Sequence, residues 1–474
     1  MNPATSGHAP TLPPRLSRPL PAQVWALASW PFLQQLLTWL VHFVDTAVAG
    51  RLSVEATNAV AVAAYFGWFI VLMTMAVGTG GAALIARSIG ADRRGPANAA
   101  LGQTVLLAAV WSVLVGGGIF LAADGLAAVA KLDPQSRVLA AGYLRVIGLA
   151  TPLSAAMFIG TATLSAAGDT RTPFLIMLVY NAVNIVATLA LAVGDAAVPL
   201  PGGGQWAVRG LGMGVAGIAW GTALASAAGG GLMLAALLRR GAAVRLRVRR
   251  LRPRPALIRR VVAVAWPTLG EGLSHWIGNF VILVVVGHIA LELGATGYQG
   301  AHIVAIRIES LSFLPAMALG TAAATLVGQF LGAGRPDLAQ RAAWWCWGVA
   351  AALMTPLGVA FVAAPQWWCR LMTHEAVLIE LAAPLVQICG LIQLFFGTQI
   401  VLGAALRGAG DTRRPLVITT VLTWAVRLPA VVVLGWWMGM GLTGVWLGLC
   451  GELLVRGVVF AMVFARGRWK LLEV

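Results

Sequence analysis

Asp45 stands near the end of the apolar run VWALASWPFLQQLLTWLVHFVDTAVAG, with no Asp, Glu, Lys or Arg between it and Arg18. A carboxylate near the centre of a membrane-spanning helix costs roughly 2.5–3.5 kcal/mol on insertion scales, so it faces a cavity or a partner. Two kinds of chemistry suit such a group: exchange of a proton or small cation, or static acceptance of a hydrogen bond. His42 lies three residues earlier, on the same helical face. Further along, Asn181, Asn184 and Thr188 recur at helical spacing as one polar stripe. Amides and hydroxyls of this kind bridge a protonated acid and release it when ionised. They serve equally as interhelical glue.

The second half carries its own charges. Glu271 and His275 are four residues apart, Arg307 and Glu309 two apart, and Gln393 and Gln399 follow. Buried ionisable groups must pair, so Glu271 or Glu309 is expected to be neutralised by Arg307. The set reads either as a second protonation or substrate site or as a static ion-pair network. Arg427 and the i, i+4 pair Glu452 and Arg456 read as structural pairs. GAGD at 408–411 and AAGD at 166–169 raise the thought of an intramembrane aspartyl protease. Their duplication, each followed by Arg and Pro, is better explained by Asp169 and Asp411 capping the next helix. No zincin, P-loop or nucleophile-elbow motif is present.

The elements that must position these groups follow from composition. The chain has 474 residues, 59% hydrophobic and 10% charged, with mean hydropathy +0.85. Soluble domains carry about 25% charged residues, so this is a membrane protein. Backbone groups in lipid must be satisfied internally, and the runs are too long for barrel strands, so the fold is all-α. Twelve spans are predicted at 23–49, 56–88, 97–123, 136–166, 172–194, 211–238, 259–289, 298–331, 337–363, 378–406, 414–438 and 441–465. Residues 1–21 lack the apolar core of a cleavable leader. The four cysteines have no metal-ligand or disulfide spacing.

The net charge of +17 comes almost wholly from arginine. The arginines sit in alternate loops, with ten between Arg239 and Arg260. The positive-inside rule then places both termini in the cytoplasm. The central run reads as a topology anchor touching anionic lipid rather than as a nucleic-acid site.

The chain also repeats itself. AAGDTRTP at 166–173 recurs as GAGDTRRP at 408–415, IGADR at 89–93 as LGAGR at 331–335, and AVGTGGAALIA at 76–86 as ALGTAAATLVG at 318–328. Gly168 and Gly410, Gly90 and Gly332, and Gly78 and Gly320 are each 242 residues apart. Six spans per copy gives two parallel lobes related by a pseudo-two-fold along the membrane normal. The expected organisation is a cytoplasmic tail at 1–22, a first lobe at 23–238, an Arg-rich cytoplasmic linker at 239–258, a second lobe at 259–465 and a cytoplasmic tail at 466–474.

VDTAVAGRLS, GTGGAALIARSIGA and GDTRTP in the first half resemble the multidrug and toxic compound extrusion (MATE) transporters. So do GAHIVAIRIES, VGQFLGAGR and LRGAGDTRRP in the second, and the DinF-like branch is nearest. The resemblance implies an exporter driven by inward flow of H⁺ or Na⁺. It gives Asp45 the role of the first-helix coupling aspartate and Asn184 that of the fifth-helix asparagine. Thr188 stands where archaeal members have an acid. His275 occupies the place of the NorM-like seventh-helix acid, with Glu271 one turn earlier. Phe396 replaces that branch's tenth-helix acid, so a NorM-like sodium site in the second lobe is not expected.

The expectation is an inner-membrane antiporter, monomeric, without cofactors or nucleic-acid partners. It exports amphipathic or cationic compounds in exchange for H⁺, with Asp45, Asn181, Asn184 and Thr188 at the coupling site. A second site would involve Glu271, His275, Arg307 and Glu309. Na⁺ coupling at Asp45 and a lipid-type flippase of the same superfamily are the alternatives, and a membrane-embedded enzyme is the rival of another class.

Overall fold

The computed structural model describes residues 13, 16–129, 133–194, 196–199, 205–208, 210–292, 294 and 297–472. Lys131 and Arg209 lie outside these residues, as does the side chain of His42.

The described residues are overwhelmingly helical. Helices α1 (Leu20–Leu52), α2 (Val54–Gly90), α3 (Arg94–Val129), α4 (Pro134–Ala166), α5 (Arg171–Ala192) and α6 (Val215–Leu238) build the first copy. A short antiparallel hairpin, β1 (Ala196–Pro199) with β2 (Gln205–Val208), lies in the connection between α5 and α6. Helices α7 (Pro255–Glu292), α8 (Tyr298–Ser312), α9 (Leu314–Gly332), α10 (Pro336–Ala363), α11 (Pro365–Arg370), α12 (Ala376–Leu391) and α13 (Gln393–Gly408) follow. Then come α14 (Arg413–Leu422), a π-helical turn at Thr423–Arg427, α15 (Leu428–Val432), a second π turn at Val433–Trp437, and α16 (Gly441–Ala465).

Ten of these segments are long and apolar enough to cross a bilayer, and the pair α12 and α13, bent by 57° at Ile392, makes an eleventh. The 33-residue α1, the first of the twelve expected spans, is not among these eleven. The breaks at Phe313 and Ile392 fall inside stretches that read as continuous from the sequence. Pro315 stands in the first turn of α9, just past the first break; no proline adjoins Ile392, and hydrophobicity alone carries no mark of that bend.

Each GD turn behaves as its duplication suggested. Asp169 Oδ1 accepts from the Thr172 backbone N–H at 3.1 Å and its Oδ2 from the Thr172 hydroxyl at 2.8 Å. Asp411 Oδ1 accepts from the Arg414 N–H at 3.4 Å, and its Oδ2 pairs with the Arg414 guanidinium at 2.5 Å. Both aspartates thus satisfy first-turn donors of the next helix, which otherwise have no intrahelical acceptor.

The Arg-rich linker is pinned rather than loose. Gln103, fully buried in α3, donates to Arg250 O at 2.7 Å and Arg252 O at 3.0 Å, and accepts from Arg254 N at 2.9 Å. Asn98 Oδ1 accepts from Arg245 N at 2.7 Å. The linker arginines 239, 240, 247, 249, 252 and 254 are exposed.

The chain divides into two compact units. One comprises the described residues up to Phe32, Ala82–Ala97 and Gly270 onward; the other comprises Leu33–Gly81 and Asn98–Leu269. The divisions within α1 and α7 fall just after Pro31 and Pro267, which interrupt the helical hydrogen-bond ladder. The first unit has two apolar cores. One gathers Ala322, Leu326, Phe330, Leu402 and Leu406, and the other Val286, Ile308, Leu385, Val431 and Trp446. The second unit has a core built on Ala49, Ala59, Leu144 and Ile218.

Candidate cation-coupling site

Close approach of α5 and α6 creates the site in the second unit. A Cβ on Gly221 would lie 2.4 Å from Thr188 Oγ1 and 2.8 Å from its backbone nitrogen. One on Gly217 would lie 2.4 Å from the nitrogen of Ala192. Only glycine lets the backbones run this close, as small residues do at membrane helix interfaces. The approach brings Thr222, the neighbour of Gly221, to the polar stripe of α5. The Asn184 amide donates to Thr222 Oγ1 at 3.2 Å, and the Thr222 hydroxyl donates to Asp45 Oδ2 at 3.3 Å. Thr188 also lies within electrostatic reach of the Asp45 carboxylate, without a hydrogen bond to it.

Asp45 is 6% exposed, and Asn184 and Thr188 are fully buried. Among the described residues no ion pair includes Asp45, and none of their arginines or lysines cancels its charge. Four oxygens of the cluster have no hydrogen-bond partner among the described residues: Asp45 Oδ1, Asn181 Oδ1, Asn184 Oδ1 and Thr188 Oγ1. Leaving such groups unmet in an apolar medium costs kilocalories each. A concentration of unmet acceptors around an unpaired carboxylate is an arrangement that a bound proton or small cation relieves. Asn181 stands one turn away, its amide spent on Met177 O at 2.9 Å. Two of the chain's four tyrosines, Tyr143 and Tyr180, lie within electrostatic reach of Asp45. With Ser226, whose hydroxyl meets Ser154 Oγ at 3.0 Å, they continue the polar wall.

The charges of the second half are arranged differently. Arg407 Nη1 contacts both oxygens of Glu271 at 3.1 Å, and the Thr419 hydroxyl donates to the same carboxylate at 3.2 Å. Glu271 is thus neutralised by Arg407 and not by Arg307, which is exposed and makes no ion pair among the described residues. The expected pairing of Arg427, Glu452 and Arg456 is present, with all three side chains almost completely buried. His275 is half-buried on α7 within electrostatic reach of those two arginines, and Glu309 is half-buried on α8. The Gln393 amide is spent on Cys389 O at 3.3 Å.

Sequence reasoning missed Thr222, the residue that links Asn184 to Asp45. Its only signal is its place beside the glycines of α6 at positions 217 and 221. It also missed Arg407 and Thr419 as the partners of Glu271.

The MatE family model matches residues 32–189 and 267–433, segments that contain Asp45, Asn184 and Thr188 on one side and Glu271 and Arg407 on the other. A probable multidrug resistance protein NorM of Thermotoga maritima is 28% identical over 437 residues, covering 92% of this chain and 90% of that one. The protein of the same name from Deinococcus radiodurans is 30% identical over 445 residues, with 91% and 92% covered. Among solved structures, a MOP-superfamily transporter from Pyrococcus furiosus, described as having a binding pocket of reverse polarity that suggests a different function, superposes with a TM-score of 0.85 at 20% identity, covering 96% of each chain. A multidrug resistance MATE family transporter in an outward-facing conformation gives 0.84 at 19% identity, covering 96% of this chain and 98% of that one. These structural likenesses establish the fold, and the family match does the rest: the chain is a multi-pass membrane transporter of the MatE (MATE) family.

Proposed function

We propose that the chain is a secondary active antiporter that exports amphipathic, often cationic compounds in exchange for protons, and that it is not an enzyme. The observation that carries this reading is Asp45: a buried acid with no cationic partner among the described residues, in a cluster whose oxygens lack donors among them. One proton on Oδ1 turns an acceptor into a donor, and either Asn184 Oδ1 or Thr188 Oγ1 can receive it. Loss of that proton leaves an unpaired negative charge that favours a cationic compound. A coupling ion drives transport only if it binds two conformations with different affinity. Here the difference comes from how closely α5 and α6 hold Thr188 and Thr222 against the carboxylate.

The same oxygens offer a small cation ligands from Asp45, Asn184 and Thr188, so the Na⁺-coupled version shares the site. We further read the protein as a monomer of the inner membrane with both termini cytoplasmic. The pinned linker then sets its exposed arginines against anionic headgroups, each worth about 1 kcal/mol near such a surface.

Right-side-out vesicles loaded with ethidium, with an inward gradient of one ion imposed at a time, separate the two ions. Efflux that accelerates under an imposed proton gradient and ignores a sodium gradient supports proton coupling. Efflux that follows sodium alone reassigns the ion at the same site.

A further inference from the structure

A cleft of about 570 Å³ lies between the end of α10, the short α11 and one face of α12. None of its lining residues belongs to the Asp45 cluster or to the ion pairs of Glu271 and Glu452. Its depth in the bilayer follows from α10. That helix has 28 residues, a length of about 42 Å at about 1.5 Å per residue. It begins at the basic stretch that holds Arg335 and Arg341. The hydrocarbon core is about 30 Å thick, so the far end of α10 emerges among lipid headgroups on the opposite face. Exposed Val359, Trp367 and Leu371 mark that boundary, and tryptophan favours such interfaces.

The α12 wall is rich in acceptors. Glu380, Pro384 and Gln387 recur at helical spacing and line the cleft together. Pro384 has no N–H, so the backbone carbonyl of Glu380 lacks its helical donor. The Gln387 amide donates to Val362 O, at the end of α10, at 3.3 Å. That bond orients the side chain and leaves its Oε1 as an acceptor.

The short helix α11 supplies the opposite charge. Its last residue, Arg370, lines the same cleft. Arg370 and Glu380 are both exposed, and neither joins an ion pair among the described residues. Two opposite charges that share a cleft without meeting present a positive and a negative pole to a ligand. Glu380 repels a purely anionic headgroup, and Arg370 repels a purely cationic one. A zwitterion satisfies both. Its phosphate takes paired donors from the guanidinium. A primary ammonium carries three donors, which suit the Glu380 carboxylate, the Glu380 carbonyl and Gln387 Oε1, whereas a quaternary ammonium has no N–H to give. The exposed apolar side chains beside the cleft accommodate acyl chains.

We propose that this cleft holds a zwitterionic phospholipid with a primary-amine headgroup, a phosphatidylethanolamine, its phosphate on Arg370 and its ammonium on Glu380. The bound lipid ties α11 to α12. The proposal requires only that the chain is embedded in a bilayer, and it stands or falls independently of the coupling ion.

The test is native mass spectrometry of the full chain, released from detergent micelles that contain equal amounts of phosphatidylethanolamine, phosphatidylcholine and phosphatidylglycerol. The wild type is expected to retain one phosphatidylethanolamine, preferred about tenfold over either competitor, the worth of one charged hydrogen bond. Glu380→Gln should lose the preference over the choline and glycerol lipids, and Arg370→Gln should retain little of any of the three. Glu375→Gln, an exposed acid in the turn before α12 that does not line the cleft, should keep the wild-type ranking. Equal retention of the three lipids by the wild type overturns the proposal. So does a phosphatidylethanolamine preference that survives in Glu380→Gln and Arg370→Gln, or one that Glu375→Gln loses to the same extent. Retention led by phosphatidylglycerol would reduce the cleft to a basic surface and overturn it as well. If either cleft variant does not fold, the wild-type ranking decides by itself.

Discussion

The two halves descend from one repeat, yet they treat their acids in opposite ways. In the first, Asp45 has a threonine donor and, among the described residues, no cation and unmet oxygens around it. In the second, Glu271 is held by Arg407 and Thr419, and Glu452 by two arginines. An acid paired with a guanidinium is costly to protonate because protonation strands the arginine. An acid among amides and hydroxyls loses little, because those groups donate or accept with equal ease. Duplication thus preserved the helices and turns while treating the acids differently: on the proposed reading the first half's acid exchanges an ion, while the second half holds Glu271 and Glu452 in ion pairs.

The comparison breaks most visibly at Glu452. Glu452→Ala leaves Arg427 and Arg456 without a carboxylate, and removing one partner of a buried ion pair costs about 3–5 kcal/mol. A thermal-melting assay in detergent is expected to show a protein that is barely folded. Wild-type stability in that variant would mean that the cluster contributes no cohesion. A smaller loss is expected at the α5–α6 contact. Gly221→Ala drives a methyl group into Thr188, and such overpacking costs about 1–3 kcal/mol. Because Thr222 moves with it, proton-driven efflux should fall more than stability does. An equal fall in both would make the contact merely structural.

The smallest effect sharpens the repeat itself. Asp92 adopts φ of 55°, where the second copy has Gly334 at φ of 71°. The left-handed region is strained for most side chains and free for glycine. Asp92→Gly should therefore be neutral or slightly stabilising, and Gly334→Ala should cost about 1 kcal/mol. Denaturation midpoints of the two variants check this directly.

Much of the architecture was legible before any coordinates. Lipid forces helices of a minimum length, so apolar runs reveal spans, and a shared register of 242 residues reveals the duplication. Asp45 announced itself because a lone acid in such a run needs a reason, and Asn184 and Thr188 because helical spacing aligns them. Thr222 did not, since one hydroxyl in an Ala- and Gly-rich helix is unremarkable until α5 packs against it. Arg407 could not be assigned to Glu271 across 136 residues of chain, and Arg307, nearer in sequence to Glu309, was the wrong choice of partner. The π turns leave no trace in composition. They become visible only where Thr423 and Arg427 converge on Glu452 and Arg456.

The central claim is that exchange belongs to the unpaired acid and not to the paired one. It is tested most directly by proton-driven ethidium efflux in vesicles carrying Asp45→Asn or Glu271→Gln, matched for the amount of protein. We expect Asp45→Asn to fall about tenfold or more, which corresponds to at least about 1.4 kcal/mol, and to lose its response to the imposed gradient. Glu271→Gln should keep that response at a reduced rate. A gradient response retained in Asp45→Asn and lost in Glu271→Gln would contradict the account.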